Sequence, residues 1–322
     1  MLGTLAAVAA LAAPAEAKVT RYLTGNPADV SPPLFGPAHA LGGGGTDVDE
    51  ALQWLIDQVR GCTGCPATVD VVVLRASGAD GYNEYIYGMN GVDSVETLVI
   101  TRARDADTAA VEAVVRNAEV VFFAGGDQCS YVENFKGTAV ELAVESVYAR
   151  GGGVGGTSAG LAVQSEFVFD ACRGTILSEE ALEDPYDRRV SFTYDLFDWA
   201  HLDGIVAESH FTARDRMGRA MVFAARQIQD GRAQAALAVA VDEATSLVVD
   251  RGGVATVIGE GAAYFILADH PPEVCQPRTP LTYSNYKIWR VEAGGRFNLR
   301  NRPSAGYYRR SVDNGVITAD PY

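Results

Sequence analysis

Positive charge is in short supply in this chain. The 26 Lys and Arg residues stand against 41 Asp and Glu, a formal net charge of −15. Phosphate binding needs clustered cations, so nucleic acid is excluded as a partner. Long apolar runs are also lacking. The run Leu2–Ala13 is too short to span a bilayer, and no other segment is long enough to try. Histidine occurs four times, which limits any imidazole base to His39, His201, His210 or His270. The five cysteines include a single C-x-x-C, Cys62 to Cys65, which without a second pair of ligands does not make a zinc site.

What is present fits a large folded chain with 48% hydrophobic residues. The Ala- and Leu-rich start, Pro14 and Ala15-Glu16-Ala17 before Lys18 together form a secretion-signal pattern over residues 1–17. The expectation is a secreted or periplasmic protein. Cys62 and Cys65 are either a small disulfide or two free thiols. Cys172 and Cys275 are a candidate pair, which leaves Cys129 over.

Residues 46–61 carry apolar side chains at helical spacing, with Thr46 or Asp47 as the expected N-cap and Gly61 as the stop. Residues 69–77, 94–101 and 119–127 are apolar runs suited to strands buried on both faces. Helical patterns over 105–118 and 137–150 alternate with them, and GGTSAG leads into a helix expected to reach about Phe169. Strand–helix alternation predicts a mostly parallel sheet covered on both faces, with ligands at the carboxyl ends of the strands. Another helix is expected from Arg214 to Gln229. Beyond it, antiparallel patterns run to residue 270, and residues 271–322 form a β-rich extension of the one catalytic domain, 18–270.

Two Gly-rich turns, AGGD and GGTSAG, fall at those carboxyl ends. Ser158 in the second has the G-x-S-x-G setting of a nucleophile on a tight strand-to-helix turn. The same glycines would equally serve close packing. A serine nucleophile needs a base and an orienting acid. His210, at the end of an apolar run and before a helix, stands at the same sheet edge. Arg214, Arg216 and Arg219 follow it, and guanidinium forks suit carboxylates. For the acid, Glu243 in the Asp242-Glu243 pair competes with Asp203 and Glu208. The oxyanion donors would be the amide of Ala159 and one from the Gly126-Asp127 turn. This chemistry calls for no metal or organic cofactor.

Four stretches taken together resemble one family: FFAGGDQ (122–128), GGTSAG (155–160), HFTARDRMGR (210–219) and VDEATSLVV (241–249). Their order and separation are similar to those of cyanophycinases and related serine peptidases of the dipeptidase E type. The resemblance implies a three-layer α/β fold, flavodoxin-like and akin to class I glutamine amidotransferases. It also implies a Ser158-His210-Glu243 triad, with Gln128 and Arg214, Arg216 and Arg219 positioning aspartate carboxylates. The implied substrate is cyanophycin, a polyaspartate whose side chains carry arginine through isopeptide bonds, released as β-aspartyl-arginine. Its implied partner is thus a peptide or polypeptide rich in aspartate and arginine; a homodimer is compatible with the sequence. Glu208-Ser209 departs from the family's usual Asp-Gln before the histidine, leaving Glu208 as a substrate-side group. Three rivals are a related peptidase cutting other α- or β-aspartyl peptides, an esterase using Asp203 with His270, and a non-catalytic exported binder of acidic peptides.

Overall fold

Valine-rich runs without polar alternation build the centre of the molecule. The computed structural model describes residues 19–322, so the signal pattern over residues 1–17 lies outside the described residues. Strand Val69–Arg75 pairs in parallel with Val92–Val99 on one side and Val120–Phe123 on the other. The latter pairs in parallel with Gly153–Thr157, which in turn pairs with Ala38–Gly42. Antiparallel strands extend both edges: Thr20–Gly25 at one, and Thr245–Val249, Val254–Gly259 and Arg296–Asn298 at the other.

The period of two along Val69–Arg75 explains the three layers. Val71 and Val73 face helix Asp49–Arg60 through Leu55, Ile56 and Val59. Val72 and Leu74 face the opposite core, shared with helices Ala109–Asn117 and Ala139–Ala149. Residues 71–74 are buried on both faces, so no polar alternation appears within that stretch.

A second sheet is mainly antiparallel and runs through Ile205–Glu208, Ala236–Val241, Ala262–Ala268, Thr279–Glu292, Tyr308–Asp313 and Val316–Ile317. Only its first pair is parallel among the described residues. Ala236, Ala238 and Ala240 face helix Met217–Gln229, whereas Leu237, Val239 and Val241 join the core of the first sheet. Residues 271–322 contribute strands to both sheets. The fold is therefore the expected α/β arrangement with an added β-rich sheet. Among the described residues no helix is long and apolar enough to cross a membrane.

Several local expectations need correction. The first helix starts at Asp49 with Val48 as N-cap, because Asp47 is engaged instead by the Tyr82 hydroxyl at 2.7 Å. The pattern over 105–118 splits into Ala103–Ala106 and Ala109–Asn117, with Thr108 opening the second helix. The helix after GGTSAG is a single turn, Ala159–Ala162. The Gln164 side-chain amide donates to the Gly160 carbonyl at 2.8 Å and the Ser165 hydroxyl to that of Ala162 at 2.9 Å. Side chains thus take carbonyls that a longer helix would use. The helix expected from Arg214 starts at Met217, after a 3₁₀ turn over Thr212–Arg214.

The cysteines also pair differently. Cys62 joins Cys65, and Cys129 joins Cys172, leaving Cys275 as a buried free thiol. Cys129 lies in the first turn of helix Gln128–Phe135, and its Cα comes within 4.9 Å of that of Cys172. Cys275 sits instead in the core of the second sheet.

His39 is fully buried on the central strand Ala38–Gly42. Its Nδ1 lies 3.2 Å from Gln164 Oε1; the Gln164 amide nitrogen is committed to Gly160, so Nδ1 carries the proton. Burial pushes the imidazole pKa down from 6.5 to about 4, against the Gln164 bond and helped by His201. The unfolded chain then takes up a proton near pH 6.5 while the folded one does not until about pH 4. Stability attributable to His39 is whole above that window and is lost as pH falls through it. The full swing is about 3 kcal/mol. Urea unfolding at pH 7 and pH 5 should show a smaller loss for His39→Gln than for the wild type; equal losses would exclude His39 as the source.

Candidate active site

Ser158 ends strand Gly153–Thr157 and caps the turn Ala159–Ala162 with φ 55° and ψ −111°. A non-glycine residue held there costs on the order of 1–3 kcal/mol, which packing must supply. The close packing comes from Gly160: a Cβ there would collide with the Phe123 carbonyl oxygen. GGTSAG therefore serves both purposes, with glycine admitting the tight turn and serine projecting from it.

His210 follows strand Ile205–Glu208, and Glu243 follows Ala236–Val241. These strands are parallel, with Glu208 opposite Ala240, so both residues leave at one edge. The Ser158 hydroxyl lies 2.7 Å from His210 Nε2, and His210 Nδ1 lies 2.6 Å from Glu243 Oε1. The acceptor at Nδ1 fixes the proton on that nitrogen and leaves Nε2 free to accept from the serine. Burial lowers the imidazole pKa from its ordinary 6.5; the Glu243 bond works upward, and the charges of Arg214 and Arg216 work downward. His210 is thus neutral, a base, near pH 7. Asp242, beside Glu243, is structural: its carboxylate accepts from the Thr212 amide and hydroxyl and from the Ala262 amide.

The Gly125-Gly126 turn lies against the serine, since a Cβ on Gly125 would sit 3.6 Å from Ser158 Cβ. Asp127 caps the next helix, accepting from the Cys129 amide and the Ser130 hydroxyl. Among the described residues, the amides of Gly126, Asp127 and Ala159 have no intramolecular acceptor. They are available to an anion.

The arginines divide. Arg219 is buried and spent: Nε and Nη2 donate to the two Glu208 oxygens at 2.7 and 2.6 Å, and Nη1 to Thr175 Oγ1 and the Ile176 carbonyl. Arg216 donates through Nη1 to Glu208 and to the Ser209 carbonyl. Burial would raise the Glu208 pKa, yet Arg219 and Arg216 hold it below the ordinary value. The expectation that all three arginines face substrate is thereby corrected. Arg219 neutralises Glu208, Arg216 does so in part, and Arg214 is exposed with no ion pair among the described residues. Glu208 serves this cluster and does not touch His210. Gln128 donates weakly to the Phe169 carbonyl at 3.4 Å, leaving its own carbonyl oxygen open.

The remaining histidines are held elsewhere. His201 lies 3.0 Å from the Arg251 carbonyl, and His270 sits on the Pro271 and Ser284 carbonyls, so the Asp203–His270 arrangement is not assembled on Ser158. Cys129, Cys172 and Glu133 lie within metal-binding reach of one another, but the two sulfurs are joined. The four glycines at positions 42–45 contact Ser158, His210 and Glu243 or their neighbours, a role not anticipated. Four consecutive glycines at the end of a strand were the available signal.

No protein-family model matches the chain, and no curated protein matches it in sequence. Among solved structures it is similar to a peptidase from an acI-B1 Actinobacterium, with 15% identity and a TM-score of 0.56, over 83% of this chain and 98% of that one. It also matches a protein from Listeria monocytogenes EGD-e described as a peptidase E, with 14% identity and a TM-score of 0.44, over 70% and 98% of the two chains. The first likeness shows a shared fold.

The charges around His210 set a signed expectation for its titration. Fluorophosphonate labelling of Ser158 should rise with pH through an apparent pKa below 6.5. Arg214→Gln removes a downward influence and should move that limb up; Glu243→Gln should move it down and slow labelling by ~10⁴. A limb above 6.5, or shifts of opposite sign, would show that another group is the base.

Proposed function

We propose that this protein is an exported serine-type hydrolase that cleaves aspartyl peptides or isopeptides, with cyanophycin as the substrate. The observation that carries the reading is the unbroken line from Ser158 Oγ through His210 to Glu243, at 2.7 and 2.6 Å. The Ser158 oxygen attacks the scissile carbonyl carbon as His210 Nε2 takes its proton, and Glu243 stabilises the imidazolium. The carbonyl oxygen, now anionic, is met by the amides of Ala159 and the Gly126-Asp127 turn. Collapse breaks the carbon–nitrogen bond, and His210 returns the proton to the leaving amine. Water, deprotonated by His210, then hydrolyses the ester on Ser158.

Exposed Arg214 and the open Gln128 carbonyl supply charge and polarity for a substrate carboxylate and amine. One free guanidinium, where three were expected, also supports a second reading: a peptidase acting on short α- or β-aspartyl peptides with a single such carboxylate. Both differ from a binding protein, which would need neither the bare Nε2 nor the strained serine.

Incubation with cyanophycin and with α- and β-aspartyl dipeptides, read by mass, separates these readings. β-Aspartyl-arginine from the polymer identifies the first, and cleavage of dipeptides alone the second. Ser158→Ala should abolish turnover, by ~10⁶, with stability nearly unchanged. A tenth of wild-type turnover in that variant would remove Ser158 from the mechanism.

A further inference from the structure

We infer that the strap Gly42–Gly45 is the positioning element of the catalytic centre, and that Gly44 is the residue through which it holds the His210 ring. The catalytic label rests on the hydrolase reading above. The geometry stands independently.

Three consecutive carbonyls of the strap accept three amides. Ser158 donates to Gly42 at 3.0 Å, His210 to Gly43 at 2.7 Å, and Ala244, next to Glu243, to Gly44 at 2.9 Å. All three donors have positive φ: 55° at Ser158, 47° at His210 and 50° at Ala244. These are left-handed conformations that side chains disfavour, so each persists only where its surroundings determine it. The strap supplies one determining bond to each. It is itself anchored by the Gly43 amide, which donates to the Thr245 carbonyl at 2.8 Å.

The lack of side chains is what lets the strap do this. A Cβ on Gly43 would collide with the Asp242 carbonyl. A Cβ on Gly44 would lie 2.5 Å from His210 Nε2 and 2.9 Å from Nδ1, so bare backbone is packed against the face of the imidazole. The ring is thereby held between its two partners with the Gly44 backbone packed against it. Rotation of the ring towards the strap is blocked, and the bonds to Ser158 and Glu243 define its plane. A side chain at position 44 must push it out of that line. Misplacement of about 1 Å costs on the order of 10²-fold in rate.

The test compares Gly44→Ala with Gly231→Ala. Gly44 has φ 95° and Gly231 φ 70°, but a Cβ on Gly231 meets nothing within 4 Å. Both substitutions carry left-handed strain, and only the first touches the ring. Two readouts are taken on folded protein: the low-field proton resonance of His210 Nδ1–H, and the second-order rate of fluorophosphonate labelling. The expected result is loss or displacement of the resonance and labelling slowed at least ~100-fold in Gly44→Ala, with both retained in Gly231→Ala. An unaltered resonance with labelling within about threefold of wild type in Gly44→Ala would overturn the inference. Amide hydrogen exchange on the wild type decides the matter if Gly44→Ala does not fold. The Ser158, His210 and Ala244 amides should open together as one unit, and independent exchange at loop rates would overturn the strap. If the wild type is not labelled at all, the hydrolase reading falls, and resonance and exchange still decide the strap.

Discussion

The strand Ala38–Gly42 sits between the strand that ends at the serine and the strand that begins just after the acid, and the site depends on that placement. It pairs in parallel with Gly153–Thr157, so Gly42 lies opposite Thr157 and its carbonyl takes the Ser158 amide. On its other edge it pairs antiparallel with Thr245–Val249, with Gly42 opposite Ser246. One strand end thus fixes the distance between Ser158 and Glu243 through backbone bonds, which tolerate little variation in length. The histidine arrives from the second sheet, and the chain crosses between the sheets at Glu243. Ser158, His210 and Glu243 therefore sit on the seam of two sheets, and the shared core of Val154, Leu41, Val239 and Val241 keeps that seam closed.

Beneath the seam lies a second polar layer. His39 and Gln164 connect the central strand to the carbonyl of Gly160, two residues past the serine. Buried polar groups in such a position are costly unless partnered, and here the partnership ends the helix early. The short turn returns the chain to strand Val168–Phe169, and the following loop reaches Cys172, bonded to Cys129 two residues after the proposed oxyanion turn. The Ser158 turn and the Gly126-Asp127 turn are in this way tied together through His39–Gln164 and through the Cys129–Cys172 bond.

Much of this was legible beforehand, and the exceptions share a cause. Apolar runs such as residues 71–74 announce a doubly covered sheet because no polar residue alternates within them. Ser158 and His210 could be placed at one sheet edge because each follows a strand, and strand ends of an α/β sheet converge. The choice of Glu243 over Asp203 and Glu208 came from the family resemblance alone. What stayed hidden was decided by partners distant in sequence. Arg219 looks like a surface cation until Glu208 is seen folded back on it, 11 residues away. His39 looks like a loop residue until strand pairing buries it. The tetraglycine drew no reading from the sequence, since its contacts run through backbone carbonyls that no side-chain pattern encodes. Cys129 and Cys172 are 43 residues apart, and sequence carries no distance between a helix start and a later loop.

The charge arrangement around the imidazole gives the division among the arginines a consequence for mechanism. Glu208 lies buried with Arg216 and Arg219, one negative charge against two positive, so the cluster keeps a net positive charge. Arg214 adds another that is uncompensated within the described residues. Both Arg214 and Arg216 oppose protonation of His210, while Glu243 favours it. In the free protein this keeps the base neutral and ready. On the proposed reading the same ring must carry a proton during acyl transfer, and the same positive field then opposes it. On the reading proposed above, a substrate carboxylate docked on Arg214 cancels part of that field when the imidazolium forms. A substrate without the carboxylate leaves the opposition in place. Selectivity for acidic residues would then arise in the proton-transfer step as well as in binding, because one exposed guanidinium is coupled by charge to the catalytic base.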